Sequence, residues 1–359
     1  MKRSFKAFRL EDDGTLSVLD QRLLPFEKRY EKITSVAGTI EAIKEMTVRG
    51  AGVIGNVAAF GVYFASKESD GDLESMEKAA RMIKASRPTA VNLMWAVDKM
   101  VAAAKRCEAQ DRSAKLLQEA LRLCNEEAAM SEAIGRHGAD LIERIMDEKG
   151  LSSIDVLTHC NAGWLAIVDD GSALAPIYEA KRRGIDIHVW VDETRPRNQG
   201  ANLTAWELTE SGIPHTIIAD NTGGYLMSRQ KVDLCITGAD RVARNGDTAN
   251  KIGTYLKALA AYDNDIPFFV ALPSSTFDFS ISNGDSIPIE TRGDEELRFI
   301  RGIDRNGVPT DIKIYPDHSK ALNYGFDVTP ARLITGLITE RGICAADSEA
   351  IETLYKDLA

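Results

Sequence analysis

The sequence predicts an α/β protein, a mainly helical N-terminal part followed by βαβ units on a parallel sheet. Two observations carry this. Between about residues 38 and 149 apolar side chains recur at helical spacing, whereas from about residue 153 the pattern changes to short apolar runs rich in β-branched residues. Each run is followed by a polar loop and a helical stretch, the signature of strands joined by crossovers. With 359 residues, 44% of them hydrophobic, the chain can bury a large core as two domains or one elaborated domain.

The expected helices are Thr39–Met46, Asp72–Ser86, a segment opened by Pro88, and a long one from Asp111. In the third, Leu93, Ala96, Val97, Met100 and Ala104 make one buried stripe. Proline suits a helix start, because its ring presets φ and its missing N–H would have no partner there. The expected strands are Ile154–Thr158, Ile185–Val191, His215–Ala219, Val232–Thr237 and Pro267–Leu272. Residues 277–323 read as an excursion with irregular strands, 326–338 as a return to the core, and a last helix starts near Asp347.

The formal net charge of −10 argues against a nucleic-acid or anionic-membrane surface, which needs a cationic excess. No apolar run has signal-peptide or membrane-spanning length, so a cytoplasmic protein is expected. Five widely spaced cysteines without a CxxC pair fit a reducing compartment, with neither a zinc site nor a disulfide framework.

In open parallel sheets ligands bind beyond the carboxyl ends of the strands. Two reactive side chains stand there: Cys160 in Asp155-Val-Leu-Thr-His-Cys-Asn-Ala-Gly163 and Asp240 in Val232-Asp-Leu-Cys-Ile-Thr-Gly-Ala-Asp-Arg241. Cys160 is either a small buried hydrophobe or, at a strand-to-helix turn, a thiol whose pKa a helix N-terminus lowers. Asp240 either pairs with Arg241 or Arg244 or is an acid held near neutral pKa among apolar neighbours. His159, Trp164 and Trp206 read as packing, with His159 turned away from the site by strand alternation.

Gly50-Ala-Gly-Val-Ile-Gly55 matches the dinucleotide pattern, but that fingerprint needs a strand before it and a strand-terminal acid about twenty residues on. Here a helical segment precedes it, so Arg49 and the glycines read instead as a nest presenting N–H groups to an anion. Asn245-Gly-Asp-Thr-Ala-Asn-Lys-Ile-Gly-Thr-Tyr255 is expected to open a helix capped by Asp247 or Thr248, with Asn250 and Lys251 in its first turns as a phosphate site. The loop Asp192-Glu-Thr-Arg-Pro-Arg-Asn-Gln-Gly200 is dense enough in hydrogen-bonding groups to orient a polar ligand.

Six pieces in order, Arg49-Gly-Ala51, Arg87-Pro-Thr-Ala-Val-Asn92, Thr158-His-Cys-Asn-Ala-Gly163, Glu193-Thr-Arg-Pro196 with Gln199-Gly200, Gly238-Ala-Asp-Arg241 and Asn245 through Thr254, resemble the methylthioribose-1-phosphate isomerase family over about residues 25–345. These are aldose–ketose isomerases of methionine salvage. The resemblance implies a helical N-terminal domain over 1–130, a Rossmann-like catalytic domain over 131–359 that uses no dinucleotide, a homodimer, and neither cofactor nor metal. It also implies that Asp240 is the proton donor and Cys160 its partner, while Arg49, Gly50, Ala51, Arg87, Gln199, Asn250 and Lys251 hold the sugar phosphate. The chain departs from the family at Gly52, where proline is usual, at Asn198, where leucine is common, and at Trp164 with Asp169-Asp170. A more polar rim around the sugar's C5 end would follow, making 5-deoxyribose 1-phosphate or another 1-phosphorylated pentose the alternative substrate. Arg197 could favour the second phosphate of ribose 1,5-bisphosphate. The regulatory subunits of the translation-initiation guanine-nucleotide exchange factor resemble these isomerases in fold, so a non-catalytic assembly subunit is the reading from another class.

Overall fold

The computed structural model describes residues 6–87 and 90–357. Its first elements were not expected from the sequence: an antiparallel sheet of β1 (Phe8–Leu10), β2 (Leu16–Leu19) and β3 (Tyr30–Ile33). Each strand has at most four residues, too short a run for a periodicity of two to register.

Helices α1 (Val36–Lys44), α2 (Ala51–Glu68), α3 (Leu73–Ala85), α4 (Val91–Lys105) and α5 (Ala109–Lys149) follow. Ser35 caps α1 by accepting from Gly38 N–H, and Asp72 caps α3 by accepting from Ser75 N–H, so short oxygen-bearing side chains fix both starts. Pro88, expected to open the third helix, lies outside the described residues. In α2 every residue from 52 to 66 is buried, as expected of a helix that is apolar all round. It forms the axis of the first core, with Phe60, Phe64, Ile83, Leu93 and Met100 packed around it.

The second part is a seven-stranded sheet in the order β18-β17-β10-β7-β4-β5-β6. Its members are β4 (Ile154–Thr158), β5 (Ile187–Asp192), β6 (His215–Ile218), β7 (Leu234–Thr237), β10 (Phe268–Ala271), β17 (Gly336–Thr339) and β18 (Gly342–Cys344). All pairings are parallel except β17 with β18. On one face lie α6 (Ala175–Arg182), α7 (Ala205–Glu210) and the second half of α5, and on the other α8 (Thr222–Ser228), α9 (Thr254–Asp263) and α11 (Ser348–Leu354). Cover on both faces is why β4, β7, β10 and β17 read as nearly continuous apolar runs.

The chain lays down β4 first, moves outward through β5 and β6, then returns to place β7 on the other side of β4. The strand order therefore reverses between β4 and β7. Cys160 follows β4 by two residues and Asp240 follows β7 by three, so both stand at this switch point, where open sheets form their ligand crevice.

Two local expectations fail. Thr248–Lys251 is strand β9, in a four-stranded sheet ordered β11 (Phe277–Asp278), β8 (Arg241–Ala243), β9 and β16 (Phe326–Thr329). Antiparallel pairing with β16, Lys251 opposite Phe326, overrides the local helix-start signal, and α9 begins only at Thr254. Nor does a helix follow Cys160: residues 161–174 form turns before α6. The remainder of the excursion comprises β12 (Thr291–Arg292) paired with β15 (Asn323–Tyr324), the short α10 (Glu295–Arg298), and an exposed hairpin of β13 (Phe299–Ile303) with β14 (Pro309–Lys313). Among the described residues no helix is long and apolar enough to cross a membrane.

Helix α5 has 41 residues, about 61 Å at 1.5 Å per residue. Leu116, Ala120 and Leu123 pack in the helical core, while Ile134, Leu141, Ile142 and Ile145 pack against the sheet. Residue 130, the expected limit between the two parts, lies within it. Gly138 lets α5 close on α6, because a Cβ there would run into the ring of Pro176. We expect Gly138→Val to lower the unfolding free energy by roughly 1–3 kcal/mol, the usual range for overpacking. An unchanged denaturant midpoint would show that the two helices are not in such close contact.

Candidate active site

The switch point opens into a small, half-enclosed cleft with about 60 Å3 of free volume. Eight of the nine residues expected at the site line it: Arg49, Gly50, Ala51, Arg87, Cys160, Gln199, Asp240 and Lys251. They come from the N-terminus of α2, the loop before α4, the ends of β4 and β7, the loop after β5, and β9. Asn250 is the exception. Strand alternation turns it away from the cleft that Ala249 and Lys251 face, and its Nδ2 donates to Thr254 Oγ1 (3.0 Å).

Cys160 has a φ of 66°, a left-handed conformation in which its backbone N–H donates to Thr194 Oγ1 (2.8 Å) and its carbonyl accepts from Thr204 Oγ1 (2.6 Å). Its Sγ lies 3.5 Å from Gln199 Oε1. Burial pushes the thiol above its ordinary value of 9.0, and the nearby Arg49 and Lys251 charges only partly offset this. The lowered pKa expected at a helix N-terminus is not found, because no helix starts there. Asp240 is half-buried, held by its backbone N–H donating to Ala249 O (2.9 Å).

The cations are shaped by burial. Lys251, only 3% exposed, donates to Gly325 O (2.8 Å) and sits 4.5 Å from the Phe326 ring centroid. Burial lowers its pKa to about 8, with Arg292 and Arg87 pushing the same way. Burial likewise lowers Arg87 and Arg49, and the repulsion of Arg292 adds to the effect at Arg87. Arg49 gives NH1 to Asn161 Oδ1 (2.5 Å) and NH2 to Asn161 O (3.0 Å), while its Nε is buried without a hydrogen-bond partner among the described residues. An unmet charged donor in a cleft is a place for an anion.

Gly50, with φ 90° and its Cα against Ala166, starts α2 without a side-chain cap, so backbone N–H groups of Gly50 and Ala51 border the cleft at a helix N-terminus. A turn and not a strand precedes them, against the dinucleotide fingerprint. The N-terminus of α9 offers no such place, since Asp327 accepts from Gly253 N–H (2.7 Å) and Tyr255 N–H (3.2 Å).

Sequence reasoning missed Arg292, Asn92 as a lining group, and the apolar wall of Met46, Ile287, Ile289 and Phe326. Arg292 is bonded to Glu290 (2.9 and 3.0 Å), and Glu290 with Glu296 outweighs burial to hold its pKa above the ordinary value. Its only sequence signal was charge in an irregular stretch. Conversely, none of the departures at Gly52, Trp164, Asp169, Asp170 and Asn198 lines this cleft. Gly52 backs onto Glu127, Trp164 packs on Trp206 at 5.4 Å beside a separate groove, and Asn198 lines an outer groove. Arg197 is engaged by Glu296 (2.8 Å).

His159, as expected, faces away from the cleft and is buried. With Asp192 and Asp220 it forms a group whose ligand atoms lie within 4.8 Å of one another. A metal does not suit it. His159 Nε2–H donates to the Ile252 carbonyl (2.8 Å), Nδ1 shares a proton with Asp192 (2.8 Å), and the Lys257 ammonium already sits on Asp192 (3.2 Å).

A model of the initiation factor 2 subunit family matches residues 47–346. The chain belongs to that family. It is 56% identical, over 99% of its length and 100% of the relative's, to a methylthioribose-1-phosphate isomerase of Sulfurimonas denitrificans. Among solved structures of the family, the 5-methylthioribose 1-phosphate isomerase of Pyrococcus horikoshii OT3 superposes with a TM-score of 0.84 at 36% identity, covering 98% of this chain and 96% of the other. A structure titled translation initiation factor eIF-2B, subunit delta, from A. fulgidus superposes with a TM-score of 0.82, also at 36% identity, covering 98% and 100%.

The depressed pKa of Lys251 has a measurable consequence. Its ammonium is present below about pH 8 and lost above it, while a phosphate monoester stays dianionic above about pH 6. Affinity for a phosphate monoester should therefore fall between pH 7 and 9.5, and Lys251→Arg should flatten that fall because guanidinium keeps its proton. A wild-type affinity independent of pH over this window would remove Lys251 from the anion site.

Proposed function

We propose that this chain is an aldose–ketose isomerase that converts 5-methylthioribose 1-phosphate to 5-methylthioribulose 1-phosphate. The observation that carries the reading is the convergence of a thiol and a carboxylate from adjacent strand ends with Arg49, Arg87 and Lys251 around one cleft. Its close relatives bear the same name.

A sugar phosphorylated at C1 cannot open its ring spontaneously. Asp240 gives a proton to the ring oxygen, the bond from that oxygen to C1 breaks, and C1 is left short of electrons. Hydrogen then passes with its bonding electrons from C2 to C1, and the C2 hydroxyl returns its proton to the Asp240 carboxylate as the ketone forms, so the acid is restored and no external oxidant or reductant is needed. A thiol held above its ordinary pKa is protonated at neutral pH, which favours hydride transfer past a neutral Cys160 over proton abstraction by a thiolate. Arg49, Arg87 and Lys251 neutralise the phosphate, the N–H groups of Gly50 and Ala51 and the Gln199 amide orient it, and binding of that remote group fixes the reacting carbons. Asn250 serves through the turn it ties to Thr254.

The apolar wall of Met46, Ile287, Ile289 and Phe326 supports an apolar C5 substituent. Arg197, already paired, gives no support to a second phosphate. A non-catalytic assembly subunit would have no use for Cys160 and Asp240 together. We further propose a homodimer, supported by exposed Ile217 on β6, Tyr225 on α8, and Leu256 and Tyr262 on α9, and a cytoplasmic location, supported by five free cysteines.

Purified protein should convert methylthioribose 1-phosphate faster than 5-deoxyribose 1-phosphate or ribose 1,5-bisphosphate, with ketose formation followed by NMR. No turnover of any of the three would sink the isomerase reading. Asp240→Asn should lower kcat by about 10²–10⁴-fold, the usual worth of a general acid, with KM little changed. Cys160→Ser should also be severely impaired, and a fully active serine variant would return Cys160 to a packing role.

A further inference from the structure

Glu207 on α7 is completely buried, yet it touches neither the cleft nor solvent. Its carboxylate receives four donors: Asn161 Nδ2 (2.8 Å) and Leu165 N–H (3.1 Å) on Oε1, Trp164 N–H (2.9 Å) and the Tyr178 hydroxyl (2.8 Å) on Oε2. Four donors and no acceptor among these contacts describe an ionised carboxylate. An ion this deep is expensive unless a cation lies within reach. Arg49 is one such cation: Glu207, after Cys160 and Asp240, helps to sustain its charge against burial.

The link between them is Asn161. Its Nδ2 is committed to Glu207 and to Thr204 Oγ1 (3.2 Å), whose own hydrogen goes to Cys160 O. The amide can therefore present only its oxygen to Arg49, and Asn161 Oδ1 and main-chain O together hold both terminal guanidinium nitrogens. Glu207 also pins Trp164 and Leu165, and the next residue, Ala166, accepts from Val53 N–H (3.0 Å) in the first turn of α2. Gly163 leaves the carboxylate its room, since a Cβ there would overlap it.

We propose that Glu207 is a positioning residue for anion binding: through Asn161 it aims Arg49, and through the 164–166 segment it braces the Gly50–Ala51 nest. This rests on the reading of Arg49 as a phosphate ligand. Replacing Glu207 by Gln keeps size and burial but removes the charge and turns one donor toward another. Affinity for inorganic phosphate, and KM for methylthioribose 1-phosphate, should weaken about tenfold, the size of one lost charged hydrogen bond, with kcat changing far less.

The test is a double-mutant cycle on folded protein, Glu207→Gln, Arg49→Ala and both together, read by calorimetric titration with inorganic phosphate. The expected result is that each single variant binds weakly and that, once Arg49 is gone, Glu207→Gln costs less affinity than it does alone, the remainder being the share carried by the Gly50–Ala51 nest. A Glu207→Gln protein that is less stable but binds phosphate normally would overturn the positioning role, as would effects that multiply in the double variant. Normal binding by Arg49→Ala would overturn the assignment of Arg49 itself, and the proposal with it. If Glu207→Gln does not fold, Asn161→Ala interrupts the same relay, and wild-type phosphate affinity in that variant would equally overturn it.

Discussion

Gathering Arg49, Arg87, Lys251 and Arg292 around one small cleft is the constraint to which the surrounding structure answers. Like charges in a poorly hydrated space repel, and each gives up hydration, so each needs compensation from outside the cleft. Arg292 takes it from Glu290 and Glu296, Lys251 from the Gly325 carbonyl and the Phe326 ring, and Arg49 from Asn161 backed by Glu207. The compensation is incomplete: Arg49 Nε has no hydrogen-bond partner among the described residues, and burial lowers the pKa of Lys251 to about 8. What remains unsatisfied is a local demand for negative charge in a chain whose formal net charge is −10. Bulk acidity and an anion site are thus compatible, because the site is built from neighbours in space that are 243 residues apart at the extremes, Arg49 and Arg292.

Much of this was legible in the sequence because the sheet is buried on both faces. Ile154–Thr158 and the apolar cores of β5, β7 and β10 stand out as runs broken only by Asp155 and His188, and the ends of β4 and β7 place Cys160 and Asp240 directly. What failed was local structure fixed by distant partners. Residues 245–254 carry glycine, asparagine, aspartate and threonine in a pattern that reads as a helix start, yet pairing with β16 makes 248–251 a strand and changes which side chain faces the cleft. Lys251 is at the site under either reading, whereas Asn250 would face it only from a helix. Of the two readings of Cys160, the thiol activated by a helix N-terminus fails for a related reason: a turn follows Cys160 where a helix was expected, and desolvation raises its pKa. Arg292 was invisible because nothing in an irregular, charged stretch says which charge points inward.

The same architecture is shared by proteins titled as isomerases and as initiation-factor subunits, so the fold by itself does not settle activity. Discrimination lies in a few side chains at the strand ends and in what holds them. The five positions read in the sequence as departures from the family pattern, Gly52, Trp164, Asp169, Asp170 and Asn198, do not line the cleft. Glu127 beside Gly52 illustrates this: burial raises its pKa to about 7, and with Asn56 it fills the space that a larger residue at 52 would take. The departure is a change in packing behind the anion nest, not in the chemistry that faces a ligand.

Helix α5 has one further implication, for motion. A rod about 61 Å long whose two halves are embedded in different hydrophobic clusters cannot serve as a hinge without bending, and it contains no proline, though Gly135 and Gly138 lie near its middle. Clamshell closure of one half of the molecule on the other would therefore have to bend this rod or slide it against one of its cores. The exposed β13–β14 hairpin, whose Phe299 and Ile300 border an outer groove that shares Met46, Arg49 and Gln199 with the cleft, belongs to neither core, so a displacement of it would leave both cores packed.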